Sequence, residues 1–232
     1  MELQRGDTDL EALNQQLNDP DQLAEYKRPY DDYKPAFLPK LLGKWLVILG
    51  NTFYGHEPSY LKFRAVEVIA RVPYHSWASA AFTMLTATYT DEQKAMKLSN
   101  IAKYARIAQD NETMHVVVIS HIARKEGEKA GYILHTLIPM LFAFFYFWWS
   151  YILYLLNPKW SYELNYMFEN HAFEQYSRFL ETWGEKLKGK SIESEFLTWY
   201  GRNPRNQYEF FRSIRNDEII HRNTSIREIV KD

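Results

Sequence analysis

Two Glu-x-x-His pairs are the residues of this 232-residue sequence whose types and spacing best predict chemistry. They are Glu112-Thr-Met-His115 and Glu218-Ile-Ile-His221. Residues three apart lie on the same face of a helix, so each pair can offer a carboxylate and an imidazole to one metal ion. Because short motifs of this kind also arise by chance, the two pairs carry weight only together with other candidate ligands.

Two further glutamates, Glu67 and Glu169, lie in apolar stretches with helical spacing. A carboxylate on an apolar helix face is costly unless it is paired or bound to a metal ion. The order along the chain is therefore Glu, Glu-x-x-His, Glu, Glu-x-x-His, which is the ligand set of a ferritin-like di-iron carboxylate bundle. Oxygen and nitrogen ligands without a thiolate favour iron or manganese. The alternative is a set of surface or ion-paired glutamates with two core histidines.

Residues next to these motifs predict supporting roles. Asn111 and Asp217 each precede a candidate ligand glutamate, and Asp217 can accept a hydrogen bond from a ligand imidazole and fix its tautomer. Tyr176 follows Glu169 by two helical turns and so lies on the same face, where it can supply an electron and a proton. Simple packing is the alternative for Tyr176, because the chain has 17 tyrosines. His135 is a candidate for contact with a substrate head group.

The elements that must position these residues are predicted to be nearly all helical. Glycine and proline number only nine each, and helix formers recur at helical spacing. Residues 1–36 are predicted to form a polar N-terminal tail with one short helix near residues 10–17, and residues 37–232 a single domain. The helices predicted in that domain cover residues 37–53, 58–89 with a bend at Pro73, 91–124 with Asp91 as the cap, 132–156, 158–187 and 206–230.

The segment 132–156 is the most apolar part of the chain and carries no formally charged side chain. Its length suffices to span a bilayer. A single span, however, would place the helices before and after it on opposite sides of the membrane, whereas the candidate ligands require those helices to share one site. A helix that lies in the membrane surface and against the bundle, with aromatic rings at headgroup level, is therefore the favoured interpretation.

Composition excludes several functional classes. The absence of cysteine excludes disulfides, iron–sulfur clusters, zinc–thiolate sites and thiol nucleophiles. The net charge of −1 gives no basis for predicting that the protein binds nucleic acid. The polar, acidic N-terminus predicts neither a secretory signal nor a transit peptide, and favours a chain that starts as it was synthesised, in a prokaryote or a phage.

Four motifs, in order, carry a resemblance to a known family. Val66-Glu67-Val-Ile-Ala-Arg-Val-Pro73-Tyr74 resembles L-E-T-x-A-x-V-P and its variant A-R-V-P-Y, and Asn111-Glu112-Thr-Met-His115 resembles N-E-R-M-H. Glu169-Asn-His-Ala-Phe-Glu-Gln-Tyr176 resembles E-S-H-A-Y-E-T-Y, and Ile214-Arg-Asn-Asp-Glu218-Ile-Ile-His221 resembles I-R-D-D-E-A-x-H. From about Tyr54 to Ile226 the sequence is therefore similar to the alternative oxidases, closest to their plastid terminal oxidase-like and bacterial branch.

The resemblance implies both a fold and an activity. The fold is all-α, a ferritin-like four-helix di-iron bundle with two additional helices, 37–53 and part of 132–156, that form an interfacial membrane-binding surface. The activity is that of a non-proton-pumping quinol:oxygen oxidoreductase, which oxidises ubiquinol or plastoquinol and reduces O2 to water at two iron ions. The implied protein is a homodimer and a peripheral, monotopic membrane protein, on the cytoplasmic face of a bacterial inner membrane or on a thylakoid-type membrane.

The resemblance also implies roles for individual residues. Tyr176 corresponds to the redox-active tyrosine of the family, and Val66 and Ala172 correspond to positions that line its quinol pocket. Lys62 replaces an arginine and Gln175 replaces a threonine at that pocket, so we expect altered contacts with the quinol head group, because lysine lacks the bidentate fork of arginine. The implied iron ligands are Glu67, Glu112, His115, Glu169, Glu218 and His221.

Further departures from the family pattern refine the prediction. Ile219 replaces an alanine, and the insertion that plant plastid enzymes carry before their last helix is missing, which favours a bacterial or phage form. Two alternatives stay open. The first is a membrane-associated di-iron hydroxylase or desaturase that acts on a quinone precursor or a lipid, and the second is a non-catalytic iron-storing or structural helix bundle.

Overall fold

The computed structural model describes residues 2–230 of the chain, with side chains described for residues 9–229. Across that range the chain is helical, as predicted, and contains no strand. A 3-10 turn covers Arg28–Tyr30, and a wide π turn covers Ile133–Leu137. The helices are α1 (Glu2–Gln16), α2 (Pro20–Lys27), α3 (Phe37–Tyr54), α4 (Tyr60–Ala70), α5 (Val72–Thr88), α6 (Glu92–Lys125), α7 (Ile138–Leu156), α8 (Pro158–Lys188), α9 (Glu195–Tyr200) and α10 (Gln207–Val230).

Side-chain caps fix the starts of the two longest helices. The backbone of Asp91 is extended, and its carboxylate accepts a hydrogen bond from the backbone N–H of Lys94, so Asp91 caps α6 as predicted. Asn157 caps α8 through the N–H of Lys159, and Pro158 occupies the first turn of that helix. The middle turns of both helices carry candidate metal ligands.

The stretch predicted as one bent helix over residues 58–89 is two helices, α4 and α5, which meet at Arg71. Pro73 lies in the first turn of α5. Its nitrogen carries no hydrogen and its ring clashes with the carbonyl four residues earlier, so a helix kinks or breaks just before it. A break at Arg71 thus replaces the predicted bent helix, and Glu67 lies in the last turn of α4.

Four helical layers surround a common core. The first layer is α4 with α5, and the other three are α6, α8 and α10. α10 packs along α8, and α4 and α5 pack along α6. One buried cluster includes Phe63 of α4, Met114 of α6, Tyr176 of α8 and Phe210 of α10, so all four layers contribute to it. The predicted all-α bundle is therefore confirmed. The two additional helices lie against it, α3 on α8 and α7 on α5 and α8.

The N-terminal segment differs most from its prediction of a polar tail with one short helix. Two helices, α1 and α2, form there, and α1 packs on α10 and α6. Leu17 is buried in a cluster with Phe173 and Ile220, and Asn14 is fully buried. The segment's own residues give no local signal of this packing, because the partners lie far away in sequence; Ser213, for example, lies 199 residues beyond Asn14.

α3 and α7 expose large apolar side chains. Among the described residues, Ile133–Leu156 is the one helical stretch long and apolar enough to cross a membrane by length and composition, which alone is weak support for a span. We define the apolar surface as the exposed side chains of α3 and α7: Phe37, Leu38, Leu41, Trp45, Ile48, Phe53, Met140, Leu141, Phe144, Phe145, Trp148, Trp149, Ile152, Leu155 and Leu156.

Candidate metal centre

Six buried side chains from four helices meet at the centre of the bundle. α4 contributes Glu67, α6 contributes Glu112 and His115, α8 contributes Glu169, and α10 contributes Glu218 and His221. None of these residues is more than 2 % exposed. The structure thus brings together all six residues that the sequence predicts as ligands.

The six residues form two overlapping groups. Glu67, Glu112, His115 and Glu218 offer ligand atoms within 4.8 Å of one another, and so do Glu112, Glu169, Glu218 and His221. Glu112 and Glu218 belong to both groups. Each group therefore has one carboxylate and one imidazole of its own and shares two carboxylates with the other, which is the pattern of a carboxylate-bridged metal pair.

Of the eight carboxylate oxygens and four imidazole nitrogens of these residues, six have no hydrogen-bond partner in the described part of the chain. Such buried polar atoms are rare in folded proteins, because leaving them unpaired costs free energy. His221 Nδ1 lies 2.7 Å from Glu112 Oε1, yet neither atom has a hydrogen bond. Metal ions between the four carboxylates would satisfy these atoms, and two dications would balance the four negative charges. The unpartnered atoms are Glu67 Oε2, Glu112 Oε1, Glu169 Oε2, both Glu218 oxygens and His221 Nδ1.

The electrostatics of the cluster also favour added positive charge. Burial and the charge of Glu112 raise the pKa of Glu67 to about 8. Burial, together with the charges of Glu112 and Glu169, raises the pKa of Glu218 well above its usual range. Burial alone would raise the pKa of Glu112 as well, but His115 and His221 outweigh burial and lower it. Without cations, the carboxylates therefore compete for protons.

Asp217 holds His115 in one tautomer. Burial by itself raises the pKa of Asp217, but the guanidinium of Arg202 and the hydrogen bond from His115 outweigh burial and hold the pKa well below its usual range. The ionised carboxylate can only accept, so His115 Nε2, 2.9 Å from Asp217 Oδ2, carries the proton. His115 Nδ1 faces the cluster, 3.2 Å from Glu112 and 3.4 Å from Glu67, so it is the nitrogen that could bind a metal ion. The structure thus places Asp217 in hydrogen-bond contact with the outer nitrogen of a candidate ligand imidazole.

Asn111 supports the same carboxylate. Its Nδ2 donates to Asp217 Oδ2 at 3.1 Å and lies 3.1 Å from the hydroxyl of Tyr200, to which it also donates. Asn111 and Asp217, each of which precedes a ligand glutamate in the sequence, therefore meet across the interface of α6 and α10. Asp217 contacts the outer nitrogen of His115 directly, and Asn111 acts on that nitrogen only through Asp217.

Comparison with known proteins adds a family to this geometry. The profile described as "Alternative oxidase" matches residues 47–227. The chain belongs to the alternative oxidase family. Members of this family are di-iron proteins, which agrees with the two overlapping groups.

A curated relative in this alternative oxidase family comes from a plant. "Ubiquinol oxidase 4, chloroplastic/chromoplastic" of Arabidopsis thaliana is 27 % identical over 191 residues, which cover 74 % of this chain and 51 % of the relative. The chain thus spans about half the length of that relative. No solved structure matches the chain at a significant level.

A buried tyrosine that the sequence analysis assigned no role also contacts the cluster of this alternative oxidase. The hydroxyl of Tyr74 donates to Glu169 Oε1 at 2.7 Å and accepts from Asn165 Nδ2 at 3.0 Å. Tyr74 thereby holds one oxygen of Glu169 and leaves the other, Oε2, without a partner. The signal that could have found it was the A-R-V-P-Y form of the first motif, which ends at Tyr74.

Tyr176 lies where the family resemblance predicts, beside the cluster. Its hydroxyl donates a short hydrogen bond to Glu67 Oε1, and its ring stacks on Phe63 with the ring centres 4.0 Å apart. Burial and the charge of Glu67 raise the pKa of Tyr176 well above its usual range. The hydroxyl therefore keeps its proton and presents it to Glu67.

The structure brings together two of the four residues predicted to contact quinol. Lys62 Nζ donates to Gln175 Oε1 at 3.0 Å and also to the carbonyl oxygens of Gly55 and His56 at the end of α3. Burial lowers the pKa of Lys62. Its ammonium group, predicted to face a quinol head group, is thus engaged by protein acceptors that include Asn51 Oδ1.

The other predicted contacts lie around the same helices. Val66 is half-buried and precedes Glu67 on α4, whereas Ala172 is buried on α8 one turn after Glu169. His135, predicted as a head-group contact, lies in the π turn before α7, where its Nδ1 accepts a hydrogen bond from the N–H of Gly131 at 3.1 Å.

Proposed function

We propose that this protein is a membrane-associated quinol:oxygen oxidoreductase that oxidises ubiquinol or plastoquinol and reduces O2 to water with two iron ions. The observation that carries the proposal is the pair of overlapping groups joined by Glu112 and Glu218. Family membership supports the same activity, because the matched plant relative is a ubiquinol oxidase by its name.

The six candidate ligands divide into a pair for each iron ion and a pair shared by both. Glu67 and His115 would hold one iron ion, Glu169 and His221 would hold the other, and Glu112 and Glu218 would bridge them. The iron pair, when bound, supplies the storage of electrons and the reduction of oxygen. The protein supplies four carboxylates that neutralise two dications in a site that excludes water.

Protons at two places are controlled by residues around the cluster. The Tyr176 hydroxyl keeps its proton and donates a hydrogen bond to Glu67. The hydroxyl could therefore give up a hydrogen atom beside the cluster once quinol has delivered electrons. Asp217 keeps the outer nitrogen of His115 protonated, so the inner nitrogen is the one that would bind iron in place of its own proton. Tyr176 is in this proposal the catalytic residue, and Asp217 and Asn111 are positioning residues.

Quinol would approach from the bilayer along the apolar surface. The aromatic rings and aliphatic side chains of the apolar surface are suited to the interface of a membrane, where aromatic residues are enriched. We place the head group near Lys62, Val66, Ala172 and Gln175, which lie on α4 and α8 within five residues of Glu67 or Tyr176 in sequence. Because Lys62 is already engaged by protein acceptors, head-group contact would require it to exchange one of them.

The location and the assembly rest on the family resemblance. A peripheral, monotopic attachment fits the fold, because α6 and α8, which flank the apolar helix α7, both contribute to one cluster. We place the protein on the cytoplasmic face of a bacterial inner membrane or on a thylakoid-type membrane, as a homodimer. Analytical ultracentrifugation in detergent tests the dimer, and a single species with the mass of one chain would contradict it.

Oxygen uptake by the purified, iron-loaded protein tests the activity. With ubiquinol or plastoquinol as the donor, we expect uptake that persists in cyanide, one O2 consumed for two quinols, and two iron ions per chain. A product that gains oxygen or a double bond would instead indicate a hydroxylase or desaturase. An iron content well below two per chain would indicate a structural bundle.

A matched pair of variants connects the activity to the cluster. Glu112→Gln removes the charge of a bridging carboxylate, so we expect loss of uptake and of bound iron. Glu163→Gln is the control, because Glu163 is equally buried on α8 but accepts hydrogen bonds from Tyr33 and from the N–H of Ala36, outside the cluster. Equal iron content in the two variants would contradict the proposal.

A further inference from the structure

The carboxylate of Asp217 receives hydrogen bonds from four residues on three separate parts of the chain. Its Oδ2 accepts from His115 Nε2 at 2.9 Å, from Asn111 Nδ2 at 3.1 Å and from Arg202 Nη1 at 2.5 Å. Its Oδ1 accepts from Arg202 Nη2 at 3.2 Å and from Asn14 Nδ2 at 2.6 Å. The donor with the shortest distance to Oδ1 is therefore a residue of α1.

Two hydrogen-bond acceptors fix the orientation of the Asn14 side-chain amide. Its Nδ2 also donates to the carbonyl oxygen of Ser213 at 2.7 Å, so both neighbours of the amide nitrogen are acceptors. Turning the amide by half a turn would set its oxygen against two oxygens, which is repulsive. The full burial of Asn14 prevents water from replacing either hydrogen bond.

α1 holds Asp217 a second time through Arg202. Glu11 lies one turn before Asn14 on α1, and its Oε2 accepts from Arg202 Nε at 3.0 Å and from Nη2 at 2.7 Å. Arg202 is itself 5 % exposed and lies between two carboxylates, those of Glu11 and Asp217. Without Glu11, its Nε and one N–H of Nη2 would be buried without an acceptor.

We propose that α1 is a positioning element of the metal centre, in which Asn14 and Glu11 fix the rotation of the Asp217 carboxylate and thereby the orientation of His115. This inference rests on the proposed function. Both residues lie before residue 47, where the family match begins, so this support is an addition outside the matched region. Partners that orient a metal-bound histidine typically change metal affinity by about 10–100-fold when they are removed.

Two substitutions, one on α1 and one in the turn that follows it, test the proposal. Asn14→Leu keeps the side-chain size and removes the donor to Asp217. Asn18→Leu is the control, because Asn18 lies one turn further on and its Oδ1 accepts from Asn216 Nδ2 without touching Asp217. We expect Fe(II) affinity, measured by competition with a chelator, to fall about 10–100-fold in Asn14→Leu and to change less than about twofold in Asn18→Leu.

Spectroscopy separates positioning from loss of structure. Replacement of iron by Co(II) gives visible bands that report the ligand geometry, so Asn14→Leu should shift them while Asn18→Leu should not. If Asn14→Leu fails to fold, Glu11→Gln serves in its place, since it keeps an acceptor for Arg202 and removes only the charge, and a smaller change in the same direction is expected.

The outcomes distinguish this inference from the proposed function. Wild-type protein that binds two iron ions and oxidises quinol, together with an Asn14→Leu variant that matches Asn18→Leu in affinity and spectrum, would overturn the positioning role alone. Wild-type protein that binds no iron would overturn both. Weaker affinity in Asn14→Leu with an altered Co(II) spectrum supports the inference.

Discussion

Tyr176 is the residue whose contact with the cluster most directly connects structure and chemistry. Its hydroxyl donates a hydrogen bond to Glu67 and so presents a proton beside the cluster. In Tyr176→Phe we expect kcat for oxygen uptake to fall about 100-fold, because the variant lacks that proton and a positioned proton donor contributes about that much or more. Iron content should stay the same, because the six candidate ligands are unchanged.

The control for this prediction is Tyr146→Phe. Tyr146 is as deeply buried as Tyr176, but it lies on α7 and its hydroxyl has no hydrogen-bond partner among residues 9–229. Its replacement should leave kcat within about twofold of wild type, since no interaction is removed. Equal rates for the two variants would contradict a role for the Tyr176 hydroxyl.

The crowded carboxylates predict that the metal-free protein loses stability as the pH rises. Burial and Glu112 raise the pKa of Glu67 from 4.5 to about 8, and the pKa values of Glu169, Glu218 and both histidines are also raised. A group with a raised folded-state pKa stabilises the fold at low pH, and this contribution is lost as the pH rises through the folded-state value.

Urea unfolding with and without iron measures this effect. Between pH 4.5 and about 8, which are the ordinary and the folded-state pKa of Glu67, we expect the midpoint of chelator-treated protein to fall. The iron-loaded protein should have a higher midpoint that changes less with pH, because cations take the place of the protons. Parallel pH curves for the two forms would contradict the assignment of the cluster as a metal site.

At the scale of the elements, α3 packs closely against α8 at Gly43. A Cβ atom at that position would lie 2.8 Å from the Cβ of Met167. Gly43→Ala should therefore destabilise the protein by about 1–3 kcal/mol, since one of the helices must shift. Gly50→Ala on the same helix is the control, because nothing lies within 4 Å of its Cβ position.

Gly50→Ala is expected to change stability in the opposite direction. Alanine in a helix interior is more favourable than glycine by about 0.5–1 kcal/mol, so the unfolding midpoint should rise. Chemical unfolding of both variants measures the difference. A Gly43→Ala variant at least as stable as Gly50→Ala would show that α3 is not held tightly against α8.

Local spacing explains which elements could be predicted. In each Glu-x-x-His pair, both side chains lie on one face of a helix regardless of how that helix packs. A bundle of four helices whose polar faces turn inward is therefore sufficient to bring the pairs together with Glu67 and Glu169. The break before Pro73 follows from one residue. The packing of α1 could not be predicted, because Asn14 meets Asp217 203 residues away. Tyr74 belongs to the first motif, but its contact with Glu169 depends on where the tertiary fold places α5 relative to α8.

At the scale of the whole molecule, the metal centre and the apolar surface constrain each other. α6 and α8 precede and follow α7 in the chain, and their ligands Glu112 and Glu169 belong to one group. The helices before and after α7 therefore meet at one site, so α7 does not separate them. Phe53 of α3 packs edge to face on Phe142 of α7, with ring centres 5.8 Å apart, so the two helices present their exposed rings together.

The last prediction concerns how this surface meets a bilayer. Phe145 and Trp148 are exposed on α7, and burial of such a side chain contributes about 1.5–3 kcal/mol. In flotation with vesicles of phosphatidylcholine and phosphatidylglycerol, we expect wild-type protein to float and the double variant Phe145→Glu, Trp148→Glu to bind at least about tenfold more weakly. Trp199→Glu is the control, since Trp199 is 75 % exposed on α9, which packs on α6. Equal loss of flotation in the control would show that any exposed tryptophan suffices, whereas undiminished flotation of the double variant would place the membrane contact elsewhere on the molecule.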